Sequence, residues 1–363
     1  MSGPAGASRL TIGVGLYTGQ RFSESVGARY ADAVALAGAA EAAGFDAFWV
    51  SEHHGFPDGY LPAPLVLLGA CAAATSSIRL GAGVVLAPLA QPVRLAEEAA
   101  VVDHLSHGRL VLGLGIGYLD EELALFGVPR TARARRLEET VAILRRCWRG
   151  ERFSFHGEHF HLDDALVTPP AFQEGGIPIW LGGYARGALE RAARLADGHL
   201  VGRGAPAIVA ENAAILASAL SPARPFTFAL NVTAVLTDRG GHPELALEAF
   251  ERQQATYEEA QRGTDVYAGR VAGGAPGRLA LGGIERYVDL LGSADEIAAG
   301  AASYLEGLAA FEHVHLVLRI VFPEDDLDAQ LERIGRFGRD VLPRLRAAAG
   351  AAEHRRPVAR AGA

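Results

Sequence analysis

The chain has 363 residues, enough for one large α/β barrel or two ordinary domains. Half of the residues are apolar and 21% are charged, which is typical of a soluble globular enzyme. The formal net charge is −8 and no basic patch stands out in the sequence, so nucleic acid and anionic membrane surfaces are not expected as partners.

Segments with strand-type and helix-type patterns alternate along the whole chain. LTIGVGL, at residues 10–16, predicts the first strand, and the Ala-rich run at 30–45 predicts the first helix. Further strands are predicted near residues 47, 80, 110, 179, 199, 228 and 315. Further helices are predicted at 64–74, 92–106, 132–148, 244–261, 294–310 and 326–342, together with one that follows the strand near 179 and ends at 196. Eight βα units predict a closed (β/α)8 TIM barrel, with an open doubly wound sheet as the alternative, because periodicity alone does not show closure.

Two segments exceed what a minimal barrel needs. Residues 151–176 resemble a β-hairpin and loop inserted after strand four, and an insertion after strand seven, at about 240–290, includes a Gly-rich stretch at 263–283. Loops of this length in a compact domain are usually functional lids or disordered segments. The predicted domain spans residues 10–346, with disordered ends at 1–9 and 347–363.

The cysteines and the hydropathy predict where the protein resides. Cys71 and Cys147 lie in apolar segments of helical type, so buried free thiols are expected rather than a disulfide. The start, MSGPAGASRL, lacks the charged region and apolar core of a signal peptide. The longest apolar stretch, at 61–74, contains two prolines and is too short to cross a bilayer. We therefore expect a soluble, cytoplasmic protein.

Polar residues follow the second predicted strand, at the barrel end where active sites form. Glu52, His53 and His54 are adjacent, and neighbouring side chains on a strand point to opposite faces, so the three cannot share one role. Two adjacent histidines without a third ligand make a poor metal site. The histidines of FHGEHFHLDD lack a nearby cysteine or an HExxH pattern, and no metal is predicted there either.

Glycines follow the fourth and fifth predicted strands. Those at positions 113, 115 and 117 alternate, so they present one bare face, either to a flat ligand, which we favour, or to a tight layer of the barrel. They do not form a dinucleotide fingerprint, because no helix opens at the third glycine. Gly182, Gly183 and Arg186 lie where strand five turns into a helix, which suits either a phosphate or an ordinary βα turn.

Several motifs, in the same order along the chain, resemble one family. FWVSEHH, LGAGVVLAPLAQPVRLAEEAAVVDHLSHGRLVLGLGIGYLDEELALFG and PIWLGG look like the bacterial luciferase-like, flavin-dependent monooxygenases, and so does the ending from HLVLRIVFP to FGRDVLPRLR. The resemblance covers the chain from about Leu10 to Arg346. It implies a TIM barrel with a reduced flavin at the carboxyl-end mouth, a flavin reductase as a separate partner, and a homodimer.

The resemblance also implies roles for particular residues. His53 would act near the flavin ring as a general acid/base or hydrogen-bond donor, which suits a side chain with a pKa near neutrality. The family's non-proline cis peptide would fall at Gly83–Val84, behind the ring. The implied cofactor-binding residues are Gly83, Val84, Gly115, Gly117, Tyr118, and, at the phosphate, Gly182, Gly183 and Arg186. Glu52 and His54 would support His53 or contact the substrate.

Two departures from the family leave the cofactor open. Ile116 stands where bacterial luciferase has an arginine for the FMN phosphate, and Tyr118 stands where deazaflavin-dependent dehydrogenases carry a glutamate. The favoured hypothesis is a two-component monooxygenase that uses reduced FMN (FMNH2) and O2 to oxygenate an organic small molecule. The alternative is an oxidoreductase that transfers hydride with the deazaflavin coenzyme F420. A third hypothesis is a flavin-binding barrel without turnover.

Overall fold

The computed structural model describes residues 10–16, 26–56, 58–202, 204–221, 224–237, 288–321 and 326–354, together with residues 247 and 251. The first half contains β1 (Leu10–Gly15), α1 (Val26–Ala42), β2 (Ala47–Val50), α2 (Pro64–Ala74), β3 (Arg79–Leu86), a 3-10 turn (Ala87–Leu89), α3 (Pro92–Leu105), β4 (Leu110–Gly115), α4 (Asp120–Leu125) and α5 (Arg133–Cys147). The elements that follow are β5 (Phe153–His156), β6 (His161–Ala165), β7 (Ile179–Gly182), α6 (Arg186–Leu195), β8 (Gly198–Val201), α7 (Pro206–Ala219) and β9 (Thr227–Leu236). The last are β10 (Leu290–Gly292), α8 (Ala294–Gly307), β11 (His313–Arg319), α9 (Leu327–Arg336), a π-helical turn (Phe337–Val341) and α10 (Leu342–His354).

Eight parallel strands close into a barrel. Neighbouring strands pair in the order β1, β2, β3, β4, β7, β8, β9 and β11, and β11 pairs again with β1. Closure rests on register pairs such as Leu10 with Val314, which join the two ends of the chain. The predicted (β/α)8 barrel is confirmed, and the open doubly wound sheet is wrong. Short strand β10 extends the upper end of β9 outside the ring of eight.

The predicted elements can be compared with the described ones. Each predicted strand is a barrel strand, and the insertion after strand four contains the expected hairpin, in which β5 and β6 pair antiparallel. Helix α10 continues to His354, whereas the sequence predicts disorder from residue 347; the Ala-rich end consists of strong helix formers. The helix predicted at 244–261, the Gly-rich stretch at 263–283, and residues 1–9 and 355–363 lie outside the described residues, except for 247 and 251.

Aromatic side chains fill the amino-terminal half of the barrel lumen. Trp49 of β2 stacks on Trp180 of β7 with ring centroids 5.0 Å apart. The Trp49 Nε1–H donates to His315 Nε2 over 2.8 Å, and His315 Nδ1 lies 2.7 Å from Thr11 Oγ1. Burial lowers the pKa of His315 to about 3, so this ring is neutral and structural. A cavity of about 340 Å³ borders these side chains at the amino ends of the strands, opposite the end where TIM barrels carry their active sites.

Both cysteines are free and buried, as predicted. Burial raises the pKa of Cys71 to about 12 and that of Cys147 to about 11, so both thiols stay protonated at neutral pH. Across the described ranges, every helix is too short or too polar to cross a membrane.

Candidate active site

The alternation of side chains along β2 decides which polar residues reach the barrel mouth. Ala47 and Trp49 belong to the cluster of buried side chains that fills the lumen, called the lumen cluster below. Its other members are Val111, Trp180, Leu200, Ala229 and Val317. Successive side chains on a strand alternate between the two faces, so Ser51 and His53 continue the lumen face beyond the end of β2. Glu52 and His54 continue the opposite face.

A buried carboxylate from another part of the chain holds His53. The Nδ1 atom of His53 lies 2.9 Å from Glu122 Oε1, and the same oxygen accepts the backbone N–H of His54 over 2.8 Å. Glu122 lies in the first turn of α4 and is 2% exposed. Its Oε2 atom is also buried and has no hydrogen-bond partner within the part of the chain that the structure describes. Glu122 thus ties the loop after β2 to the helix after β4.

Glu52 and His54 form a separate pair. His54 Nε2 lies 2.6 Å from Glu52 Oε1, and Glu52 Oε2 accepts the Leu86 N–H over 3.1 Å at the end of β3. The His54 ring contacts Phe126 edge to face, with centroids 4.6 Å apart. This arrangement braces the chain on either side of His53, and it keeps both side chains on the face opposite to the lumen.

Aromatic rings enclose the His53 imidazole. Its centroid lies 4.9 Å from that of Phe56, 4.8 Å from Tyr60 and 5.8 Å from Tyr118. The Tyr60 hydroxyl is hydrogen-bonded to Ser51 Oγ. The His53 side chain is therefore 11% exposed and largely shielded from water, although it lies beyond the end of a strand. Of these residues, the sequence analysis singled out Tyr118 alone.

A second polar network anchors the loop between β2 and α2. Arg29 of α1 donates through Nη1 to the Asp58 carbonyl over 2.8 Å, and the Tyr30 hydroxyl donates to the Gly59 carbonyl over 2.9 Å. Asp58 Oδ1 accepts the Tyr60 N–H over 3.0 Å. Burial raises the pKa of Asp58, against the opposing effects of the Tyr60 N–H and the charges of Arg29 and His53. Sequence reasoning missed this network because its members carry no motif.

The predicted glycines at strand ends surround Val84. The peptide bond Gly83–Val84 is cis, at the position implied by the resemblance. A Cβ atom on Gly115 would lie 2.6 Å from Val84 Cγ2, and one on Gly182 would lie 3.3 Å from Val84 Cγ1. Both glycines therefore make room for the Val84 side chain, which packs against the lumen cluster.

The glycines of β4 face the neighbouring strand more than a ligand. A Cβ atom on Gly113 would lie 2.3 Å from the Ala82 carbonyl oxygen. The register of β3 against β4 shifts between Ala82 and Val85, so the bulged strand fills the space that the glycines leave. Gly117 follows with a φ of +71°, a conformation that favours glycine. Close packing is thus one reason for Gly113 and Gly115, and the bare ligand face stays a prediction.

Arg186 lies at the turn where a phosphate is expected, and Arg133 lies at the end of β4. Gly182 ends β7, and Gly183, with a φ of +144°, leads into α6. Arg186 begins α6, but its side chain is 74% exposed and pairs with Glu190 over 2.9 Å. Arg133 of α5, which the sequence analysis did not select, donates through Nη1 to the Gly117 carbonyl over 3.0 Å and is partly buried.

Polar residues also line the upper lumen, on β9 and β11. Val317 lies in the lumen cluster and pairs in register with Asn231, and Arg319 pairs with Thr233, so the alternation places all four on the lumen face. The Thr233 hydroxyl is fully buried and has no hydrogen-bond partner in the described ranges. The Arg319 stem packs beside Gly15, where a Cβ would lie 3.4 Å from Arg319 Cγ. A buried hydroxyl, an amide and a cation beside an apolar wall fit the ring of a flavin.

Comparison with known proteins agrees with this geometry. Residues 10–310 match the family model of luciferase-like monooxygenases. The oxygenase component of a flavin-dependent trigonelline monooxygenase from Acinetobacter baylyi is 30% identical over 42% of each chain. An F420-dependent glucose-6-phosphate dehydrogenase from Kineococcus radiotolerans is 36% identical over 44% of this chain and 49% of its own. The chain spans about half the length of the curated relatives it matches.

A solved structure shares the fold over nearly the whole chain. It is the oxygenating constituent of 3,6-diketocamphane monooxygenase from Pseudomonas putida, in complex with FMN. It superposes with a TM-score of 0.73 over 92% of this chain and 98% of that chain, at 18% sequence identity. The likeness at this identity concerns the fold.

Proposed function

The chain belongs to the luciferase-like monooxygenase family, and on that premise we propose that it is the oxygenase component of a two-component flavin-dependent monooxygenase. The observation that carries the proposal is His53, held by Glu122 and enclosed by aromatic rings at the carboxyl-end mouth of the barrel. Reduced FMN from a separate flavin reductase would supply the electrons and activate O2 when bound. The substrate is an organic small molecule.

In this proposal, His53 holds and moves the proton. Its Nδ1 atom faces the Glu122 carboxylate, so Nε2 is the atom that gives or takes a proton at the reacting centre. Phe56, Tyr60 and Tyr118 exclude water around the ring and so strengthen electrostatic interactions within the pocket.

Other residues would bind and orient the cofactor. Val84 would support one face of the ring, and Asn231, Thr233 and Arg319 would meet its polar edge. The Gly182–Gly183 turn and the start of α6 would receive the phosphate, because backbone N–H groups at a helix start favour an anion. Gly115 would act through Val84, since the two are in contact.

Hydride transfer with coenzyme F420 is the second candidate. It is favoured by the similarity to a relative named for F420. Ile116 and Tyr118 match the diagnostic residue of neither subgroup, so they leave both cofactors open. We would measure binding of FMN, FMNH2 and F420 to the purified chain, and then O2 consumption with NADH, a flavin reductase and candidate substrates. The monooxygenase proposal expects FMNH2 binding and substrate-dependent O2 consumption. Tight binding of F420 with none of FMNH2 would exclude it.

Substitutions of two arginines locate the phosphate. We expect Arg186→Ala to weaken FMN binding by up to about tenfold if its guanidinium joins the phosphate, a contact worth about 1–1.5 kcal/mol at an exposed site. Arg133→Gln is the variant to compare with it, because the Arg133 guanidinium lies at the end of β4 and tests that position for the phosphate. Kd values for FMN and for riboflavin, which lacks the phosphate, separate charge recognition from misfolding. A loss confined to Arg133→Gln would reassign the phosphate to α5.

We also propose that two copies of the chain associate through α2 and α3. Val66 of α2 is 74% exposed, and Val101 and Leu105 of α3 are 48% and 52% exposed, on two helices that pack side by side. Val66→Glu is expected to convert a dimer into a monomer, measured as mass by light scattering. Leu166→Glu, at an apolar residue beyond β6 that is 50% exposed, should leave the mass unchanged. A monomeric wild-type chain would refute the dimer.

We place the protein in the cytoplasm. Two free, buried thiols suit a reducing compartment, and a flavin reductase would be available there. Fractionation of cells that express the full chain, followed by immunoblotting, measures the location directly.

A further inference from the structure

We propose that Glu122 is the positioning residue of the site: it holds His53 with a proton on Nδ1, so that Nε2 is the atom that exchanges a proton with the substrate or cofactor. The inference rests on the proposed function only in assigning acid/base work to His53. Whether Glu122 holds the proton on His53 Nδ1 can be tested without measuring turnover.

The geometry assigns donor and acceptor. An ionised carboxylate can only accept hydrogen bonds, so the 2.9 Å contact requires the proton on His53 Nδ1. The Oε1 atom of Glu122 also accepts the His54 N–H over 2.8 Å, so the carboxylate is fixed against the backbone as well as the ring. Glu122 is 2% exposed, so this contact is shielded from water.

Glu122 is the charged side chain that contacts the His53 ring directly. The titratable and charged groups that face His53 or lie beside it are Glu122 from α4, Asp58 and Tyr60 from the loop after β2, Arg29 from α1 behind Asp58, Tyr118 after β4, and the Glu52–His54 pair. Asp58 accepts a hydrogen bond from the Tyr60 N–H, and Glu52 is hydrogen-bonded to His54 and to the Leu86 N–H. Glu122 is the carboxylate that is hydrogen-bonded to the His53 ring.

Glu122→Gln removes the charge and keeps the shape. The glutamine oxygen can still accept from His53 and from His54, so the fold and the neutral tautomer are retained while the imidazolium loses its partner. The matched control is Glu121→Gln, the same chemical change at the neighbouring, exposed residue of the same helical turn. We would follow His53 in 15N-histidine-labelled full-length chain by NMR across pH, and assign its signal by its loss in His53→Asn.

With His53 neutral in wild type, the 15N shifts should report the Nδ1–H tautomer, and Glu121→Gln should leave these shifts unchanged. The Nε2–H tautomer in wild type would overturn the proposal. The tautomer is measured in wild type, so it decides the question even if Glu122→Gln does not fold.

Turnover supplies an independent reading. We expect kcat/KM to fall by about tenfold or more in Glu122→Gln, because the negative charge beside His53 Nδ1 is lost, and to keep its wild-type value in Glu121→Gln. A protein that shows the expected tautomer but no flavin-dependent activity would refute the proposed function and leave the role of Glu122 intact.

Discussion

Replacement of His53 by alanine is expected to lower kcat/KM by about 10²–10⁴-fold while the barrel stays folded. The imidazole lies at the mouth of the lumen, in contact with Glu122. Ser51, which precedes it on the same face, cannot replace it, because a hydroxyl does not exchange protons readily near neutral pH. Initial rates with FMNH2, O2 and substrate measure the effect, and thermal unfolding reports the fold.

His156→Ala is the matched control for His53→Ala. His156 lies on β5, its side chain is 63% exposed, and its Nε2 pairs with Asp163 over 2.7 Å. Exposed ion pairs contribute little to stability, so both the unfolding temperature and the turnover should remain near wild type. Wild-type turnover in His53→Ala would remove His53 from the mechanism. A loss of similar size in both variants would point to a general defect instead.

Substitution of Gly81 by alanine is expected to destabilise the protein by about 1–3 kcal/mol through overpacking of the lumen. A Cβ atom on Gly81 would lie 2.2 Å from Trp49 Cε3, inside the contact distance of two carbon atoms. The indole cannot easily move away, because it stacks on Trp180 and donates to His315. Urea unfolding, followed by far-UV circular dichroism, measures the loss of stability as a lower midpoint.

Gly38→Ala separates this steric effect from the general effect of removing a glycine. Gly38 lies within α1, and an added Cβ would meet no atom within 4 Å. Alanine is the better helix former, so this variant should gain about 0.5–1 kcal/mol. Equal shifts of the urea midpoint in the two variants would contradict a role for contact with Trp49.

The lumen packing and the active site are linked through β2. Trp49 lies two residues before Ser51 and four before His53 on the same face of the strand. A displaced indole would therefore shift the strand that presents His53 to the mouth. If the turnover of Gly81→Ala falls by more than its unfolded fraction explains, the remaining loss measures the link between lumen packing and His53.

Strand two illustrates how far the sequence leads. The run FWVSEHH predicts a buried strand that ends in polar residues, and alternation separates His53 from Glu52 and His54. The described structure has the same division: His53 contacts Glu122, and Glu52 and His54 form a separate pair. This part was predictable because alternation along a strand is local: it depends on the backbone of a few consecutive residues.

Strand four shows where local reasoning fails. The glycines of GLGIG could serve a ligand or a neighbouring strand, and the sequence does not show which. The bulge of β3 between Ala82 and Val85 supplies a packing reason that the sequence does not show, because it brings Val84 against Gly115. Register between strands is a property of their pairing, which neither segment contains by itself.

By itself, the sequence determined the order of strands and helices, the barrel, and the end of the barrel where TIM-barrel active sites form, because periodicity, capping and alternation act over a few residues. The choice of His53 rests on the resemblance to the family and stays a prediction. Only the tertiary structure decided the partner of His53. Glu122 is 69 residues away along the chain, and nothing in its neighbours distinguishes it from Glu121. The distinction arises when α4 packs beside the end of β2, which buries one glutamate against the imidazole and leaves the other in solvent.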